Sequence, residues 1–250
     1  MEIKEFTRRV LYYLSVPKCV SCGTRLDLSD RALCNSCLDE HVKNRRTVCS
    51  VCHEERPLCT CSNTYLENHR VKRLINLFVY KSASDGRKVP SNELIYTLKR
   101  RYRRDIIDLF STELANSIKA NISDYQDYAI TNVPRSKKRV RKYGYDHAQK
   151  LSLAVAGKLG IKYVEVLKSS QNSAQKKQKS REMRIANAKY RYKNGKELQH
   201  KKMLLLDDVV TTGASMAACA EMLHAKGATK IVGVCLGIAF KDKYTPFEKT

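Results

Sequence analysis

The chain has 250 residues, enough for one or two domains with a real core, and its 48 Lys and Arg outweigh 25 Asp and Glu to give a formal net charge of +23. That balance favours anionic partners: phosphates, nucleic acid or an anionic membrane surface. No apolar run approaches the ~20 residues of a membrane span, and charges interrupt the helical apolar spacing of MEIKEFTRRVLYYLSVPKC, so neither a span nor a secretory signal is expected and the predicted location is cytoplasmic.

In a reducing compartment, paired cysteines bind metal rather than cross-link. Eight of the ten cysteines lie between Cys19 and Cys61. This divides the chain into a cysteine-rich, zinc-ribbon-like head, about residues 1–70, and a larger body, residues 71–250. Cys19-x2-Cys22 precedes Cys34-x2-Cys37, and Cys49-x2-Cys52 precedes Cys59-x-Cys61. A thiolate pair on a tight turn presents two ligands to one ion, and two such pairs close a tetrahedral site. The simplest grouping is sequential, giving two structural zinc ions; cross-braced grouping fits the spacing too. His53 and His69 read as bystanders, and Cys219 and Cys235 as buried apolar residues.

The body alternates. LINLFVY (74–80) reads as a strand, 92–121 as one or two helices, DYAITNVP (127–134) as a short strand, and HAQKLSLAVAGKLG (147–160) as a helix capped by Gly160. KYVEVLK (162–168) reads as a strand, KMLLLD (202–207) as another, ASMAACAEMLHAKGA (214–228) as a helix and KIVGVCLGIA (230–239) as the last strand. Strands alternating with helices predict an α/β, doubly wound, mainly parallel sheet covered on both faces. Ligands of such folds sit beyond the carboxyl ends of the strands.

Asp207 and Asp208 fall at such an end. Ionised carboxylates only accept hydrogen bonds, so the pair requires donors or a cation; a sugar diol supplies donors, and hydrated Mg2+ supplies charge. The next residues, Thr211, Thr212, Gly213, Ala214 and Ser215, are small, offer hydroxyls and amides, and precede a helix N-terminus, which suits a phosphate. Acids that hold ribose hydroxyls beside a phosphate loop describe a ribose 5-phosphate site.

Met203 to Ser215, an apolar strand with two acids followed by two apolar residues, Thr-Thr-Gly and a small pair, resembles the signature of type I phosphoribosyltransferases, which bind phosphoribosyl pyrophosphate with Mg2+. With the cysteine head, VPRSKKRVRKYGYDHAQKLSLAVA (133–156) and SREMRIANAKY (180–190), the chain resembles the ComF/GntX family, linked to DNA uptake in bacterial competence. The resemblance implies a pyrophosphate role for Arg139 and Arg141. Two departures bear on that loop: Tyr143 stands where the family has arginine, and Asp146-His147 where it has Asn-Gln. His147, with no partner visible in the sequence, reads as a loop or packing residue.

The basic runs RSKKRVRK (135–142), KRRYRR (99–104) and QKKQKSR, with Tyr102, Tyr143 and Tyr145 nearby, suit single-stranded DNA, whose bases stack on aromatic rings; runs of this kind are also ordinary solvated faces. Three functions follow. One is a phosphoribosyl pyrophosphate-binding protein of DNA uptake or handling, with DNA-uptake proteins as partners. The second is an active phosphoribosyltransferase, displacing pyrophosphate at C1 of the ribose onto an acceptor. The third is a zinc-headed adaptor with a nucleotide-sensing body. The chain runs about a dozen residues past Ile238, so the candidate hood over the ligand is the cysteine head.

Overall fold

A computed structural model describes residues 17–27, 32–80, 88–169, 190–193 and 198–239. The apolar pattern of residues 3–14, the QKKQKSR run and most of the 180–190 segment lie outside the described residues.

The head contributes α1 (Asn35–Arg45), a 3-10 turn (Arg56–Leu58) and α2 (Thr64–Asn68). The body contributes β1 (Arg73–Val79), α3 (Pro90–Arg100), α4 (Arg104–Asn121), β2 (Ala129–Asn132), α5 (Lys137–Tyr143), α6 (His147–Leu159), β3 (Leu167–Ser169), β4 (Tyr190–Tyr192), β5 (Lys202–Val210), α7 (Ala214–His224) and β6 (Lys230–Ile238). The main sheet has strand order β1-β6-β5-β2 and all its pairings are parallel. Strands buried on both faces read as near-continuous apolar runs, as β6 does: KIVGVCLGI has eight buried residues after Lys230.

Alternation along the strands sorts the core into two layers. Leu204, Leu206, Val232 and Val234 pack with α3, α4 and α6 through Leu98, Phe110, Leu114 and Leu151. Met203, Leu205, Ile231 and Cys235 pack on the other face with α7 and the head's Leu66. Cys219 and Cys235 are fully buried there, as their apolar setting predicts, and burial pushes both thiols up.

Two elements depart from the sequence reading. Tyr163 only bridges Ile130, and β3 leaves the parallel sheet to pair antiparallel with β4. A seven-residue apolar alternation does not encode which strand it meets; here the partner lies beyond a long polar stretch. The basic run after β2 forms a helix, α5, closed by Gly144 at φ 80, rather than an extended loop. Gly160 caps α6 at φ 69, as expected.

The head is docked, not tethered. Cys19, Leu33 and Cys37 share the core layer of Ile75 and Phe110. His41 is buried, with Nδ1 2.8 Å from Ser91 Oγ and Nε2 3.1 Å from Glu113 Oε1, and Arg45 donates to the same carboxylate oxygen at 2.8 Å. No described helix is long and apolar enough to cross a membrane.

Candidate functional site

The cysteines come together as two tetrads, Cys19, Cys22, Cys34 and Cys37, and Cys49, Cys52, Cys59 and Cys61, each with its Sγ atoms within 4.8 Å of one another. This is the sequential grouping. The two knuckles share one backbone design. Cys19 N donates to Thr24 O at 2.8 Å and Gly23 N to Cys19 O at 3.0 Å; Cys49 N donates to Glu54 O at 2.9 Å and His53 N to Cys49 O at 3.0 Å. The residue after the second cysteine is left-handed in both, Gly23 at φ 77 and His53 at φ 59. His53 thus serves the turn and is not a fifth ligand. His69 bonds Tyr65 O at 2.7 Å and also stands outside the tetrads.

Four thiols this close resist joint ionisation until a cation enters. The thiols split accordingly. Hydrogen bonds from Thr24 bring Cys22 down to about 6. Burial raises Cys49, but backbone donors at Cys52 and Val51 bring it to about 7. Burial pushes Cys37 and Cys59 well up and Cys61 to about 11. Two sulfur tetrads with amide support fit a structural metal ion each; zinc is the ion that four thiolates in a tetrahedron suit.

The second tetrad stands at the start of β1, where Cys61 bridges Arg73 and Thr60 O accepts Leu74 N. That is the opposite end of the parallel sheet from the 211–215 loop, so these thiolates do not roof the ligand mouth. The head meets the loop from behind instead. Gly213 sits at φ 80, and a Cβ there would lie 2.7 Å from Leu66 Cγ of α2.

Gly213 is the N-cap of α7, and Ala214 N approaches Thr212 Oγ1 at 3.4 Å. The first amides of a helix have no partner in the helix, so they face outward here. Asp207, Val209 and the run from Val210 to Met216 line a small, open concavity. Tyr190 of β4 reaches the same place: its hydroxyl is within hydrogen-bond reach of the Ser215 side chain, and Asp207 and Arg139 are close enough to act on it electrostatically. Arg139 is exposed on α5, and Arg141 is exposed two residues further along the helix.

The two acids, adjacent in sequence, part company in space. β5 continues to Val210, so they lie inside the strand rather than past its end, and neighbours on a strand face opposite ways. Asp207 is level with Cys235 in the β5–β6 register and opens onto the concavity. Asp208 turns to the other face, where Oδ2 accepts His147 Nε2 and lies 3.2 Å from Lys99 Nζ, while Oδ1 accepts Val209 N at 2.6 Å. Burial and the neighbouring Asp208 charge push Asp207 well above the usual carboxylate range. Burial acts on Asp208 in the same direction, but the His147 hydrogen bond and Lys99 bring it down to about 2.

His147 is therefore no bystander. It opens α6 behind Asp146, whose carboxylate accepts Ala148 N at 3.0 Å, Gln149 N at 3.2 Å and, through its other oxygen, Arg135 N at 2.8 Å. Asp146 in place of asparagine is a strong N-cap. The sequence carried one hint of Lys99's role, its place in the last turn of an amphipathic helix. Nothing local could pair it with a residue so distant along the chain.

The two described basic runs also converge. Arg135 Nη2 donates to Lys99 O at 2.9 Å, Tyr145 donates to Leu98 O, and the Tyr102 and Tyr145 rings meet edge to face at 5.9 Å. Arg135 stacks 4.7 Å above the Tyr143 ring, so the tyrosine in the family's arginine position holds a neighbouring guanidinium.

The chain is similar to several known proteins. The family model described as Phosphoribosyl transferase domain matches residues 144–246. Competence protein ComFC of Streptococcus pneumoniae is 24% identical over 140 residues, covering 56% of this chain and 61% of that protein. DNA utilization protein YhgH of Salmonella typhimurium is 24% identical over 230 residues, covering 89% of this chain and 98% of that protein. Among solved structures, a hypoxanthine phosphoribosyltransferase from Staphylococcus aureus covers 54% of this chain and 73% of its own at 12% identity, with a TM-score of 0.34. The chain carries a domain of the phosphoribosyltransferase type on an α/β, mainly parallel sheet. In its length and its C-terminal domain the chain is similar to these competence and DNA-utilization relatives.

Proposed function

We propose that the protein binds phosphoribosyl pyrophosphate, or a similar ribose 5-phosphate, together with Mg2+, and that it does so in DNA uptake or handling. The observation that carries the reading is the open concavity lined by both the Thr211–Ser215 loop and Asp207. The loop amides and hydroxyls take the 5-phosphate, and the N-terminus of α7 adds its positive end. Asp207 takes the sugar hydroxyls, and Arg139, near enough to Tyr190 to act on it electrostatically, supplies a counter-charge to the pyrophosphate. Arg141, further along the helix, adds to the same field. Zinc in the two tetrads is structural, since four thiolates leave no open position for chemistry.

The names of the two relatives support the DNA context, though the chain spans only 61% of the ComFC protein, so the biological role is itself part of the proposal. A second reading, direct contact with single-stranded DNA, is favoured by the convergence of residues 99–104 and 135–145 around Tyr102 and Tyr145. Sequence-independent binding of that kind weakens steeply with salt.

Calorimetric titration of the zinc-loaded protein with phosphoribosyl pyrophosphate and Mg2+ tests the reading. Saturable binding to the wild type that is lost in Asp207→Asn supports it. A folded wild type that takes up no ligand sinks it. Turnover with purine and pyrimidine bases in the same samples asks whether binding is followed by transfer.

A further inference from the structure

We propose that Leu66 of the cysteine head is a positioning residue of the phosphate loop, through which metal in the second tetrad and ligand on the Thr211–Ser215 loop strengthen each other's binding. The inference rests on the ribose-phosphate reading of that loop.

An anion is held tightly by main-chain amides where the turn that aims them is fixed before the ligand arrives. Gly213 is the joint of this turn, left-handed at φ 80 and the N-cap of α7. The space where its side chain would stand is filled. A Cβ there would lie 2.7, 2.9 and 3.2 Å from Cγ, Cδ2 and Cδ1 of Leu66, so the branched end of that side chain is seated under the turn. Leu66 is fully buried, in the core layer of Met216 and Ala217 from the first turn of α7.

A short closed segment holds Leu66 in place. Asn63 Oδ1 accepts Leu66 N at 2.7 Å, and Leu66 O accepts His69 N at 3.0 Å and Val71 N at 2.9 Å. Ser62 Oγ donates to Val71 O at 2.7 Å and ties the two ends together. Beyond Val71 the chain enters β1, where Leu74 N donates to Thr60 O at 3.0 Å. Before Ser62 stands Cys61 of the second tetrad, whose N donates to Cys59 Sγ at 3.4 Å and which bridges Arg73. Four thiolates keep so close a spacing, against their mutual repulsion, around a cation. Metal therefore fixes the start of the segment, the segment fixes Leu66, and Leu66 fixes the turn at Gly213. Two ligands that favour one arrangement raise each other's affinity by the same factor. The first tetrad has no such path, because its buried Cys19 and Cys37 belong to the other core layer.

The full-length, zinc-loaded protein is titrated with phosphoribosyl pyrophosphate and Mg2+ by calorimetry, and zinc release to a chromogenic chelator is followed with and without the same ligand. Leu66→Ala and Cys61→Ser are each expected to weaken ligand binding about fivefold or more. Leu223→Ala, an equally buried leucine at the far end of α7, is expected to change it by less than about twofold. In the wild type the ligand slows the release of one zinc ion by about fivefold or more, and it slows the ion that Cys22→Ser retains. Equal ligand affinity in wild type and Leu66→Ala, or zinc release that the ligand leaves unchanged, overturns the inference while leaving the ribose-phosphate reading intact. A loss shared equally by Leu66→Ala and Leu223→Ala marks general loosening of the core and overturns it too. The release measurement on the wild type needs no core substitution, so it decides the question if Leu66→Ala does not fold. A folded wild type that binds no ligand overturns both.

Discussion

Lys99 Nζ lies 3.2 Å from Asp208 Oδ2, the oxygen to which His147 also donates. Three segments far apart in sequence, the end of α3, the start of α6 and the last part of β5, are pinned at one carboxylate. Its neighbour Asp207 makes no side-chain hydrogen bond or ion pair of this kind among the described residues and lines the concavity. Two identical residues in one motif therefore have opposite electrostatics.

The opposition has a pH signature. Asp208 is held at about 2, below the ~3.9 of an unfolded aspartate. Its contribution is fully present above the unfolded value and is lost as pH falls toward 2, on the order of 2 kcal/mol in all. Asp207 is raised, so folding favours its protonated form, and it costs stability once pH exceeds the unfolded value. At neutral pH, Asp208→Asn should lower ligand-free stability by about 1–3 kcal/mol, whereas Asp207→Asn should raise it while removing ligand binding. Urea melts of the two variants at pH 7 and pH 4 check the signs.

Gly213→Ala should be damaging for two separate reasons. The φ of 80 disfavours any side chain, and the new Cβ would sit 2.7 Å from Leu66 Cγ. A cost of about 2–4 kcal/mol is expected, together with loss of phosphate affinity as α2 and the loop push apart. Leu66→Ala relieves the clash but not the backbone strain, so the double variant should recover only part of the stability.

Metal content is expected at two zinc ions per chain by atomic emission. Cys22→Ser should remove one and leave the other, because the two tetrads are separate in space. Loss of the first ion should also loosen the body, since Cys19 and Cys37 share a core layer with Ile75 and Phe110. His53→Gly should retain both ions and gain about 0.5–1 kcal/mol by relieving the left-handed turn.

The head's dock is testable through Glu113, which joins α4 to both His41 and Arg45. Glu113→Gln leaves the half-buried Arg45 without its countercharge. A loss of about 2–4 kcal/mol is expected, with protease cleavage appearing first between head and body.

Much of this was legible in the sequence, and the rest failed for identifiable reasons. Cysteine spacing gave both tetrads because each knuckle is local. The turn and the helix after it were legible because a glycine turn and the run that follows it depend only on near neighbours. The helix end at Gly160 follows from a left-handed residue with no Cβ. The acids were assigned one shared duty, though alternation along a strand already sends adjacent residues to opposite faces. His147 was set aside for want of a partner because Asp208 and Lys99 approach it only after α3, α6 and β5 have packed. The β3–β4 pairing and the His41–Glu113 dock are likewise products of tertiary contact, which a periodicity does not record.

The most direct test of the account is a crystal structure of the zinc-loaded protein with phosphoribosyl pyrophosphate and Mg2+. The account predicts the 5-phosphate on the amides of the Thr211–Ser215 loop, a sugar hydroxyl on Asp207, and Asp208 still bound to His147 and Lys99. A ligand bound away from that loop, or a ribose held by Asp208 with Lys99 displaced, would contradict it.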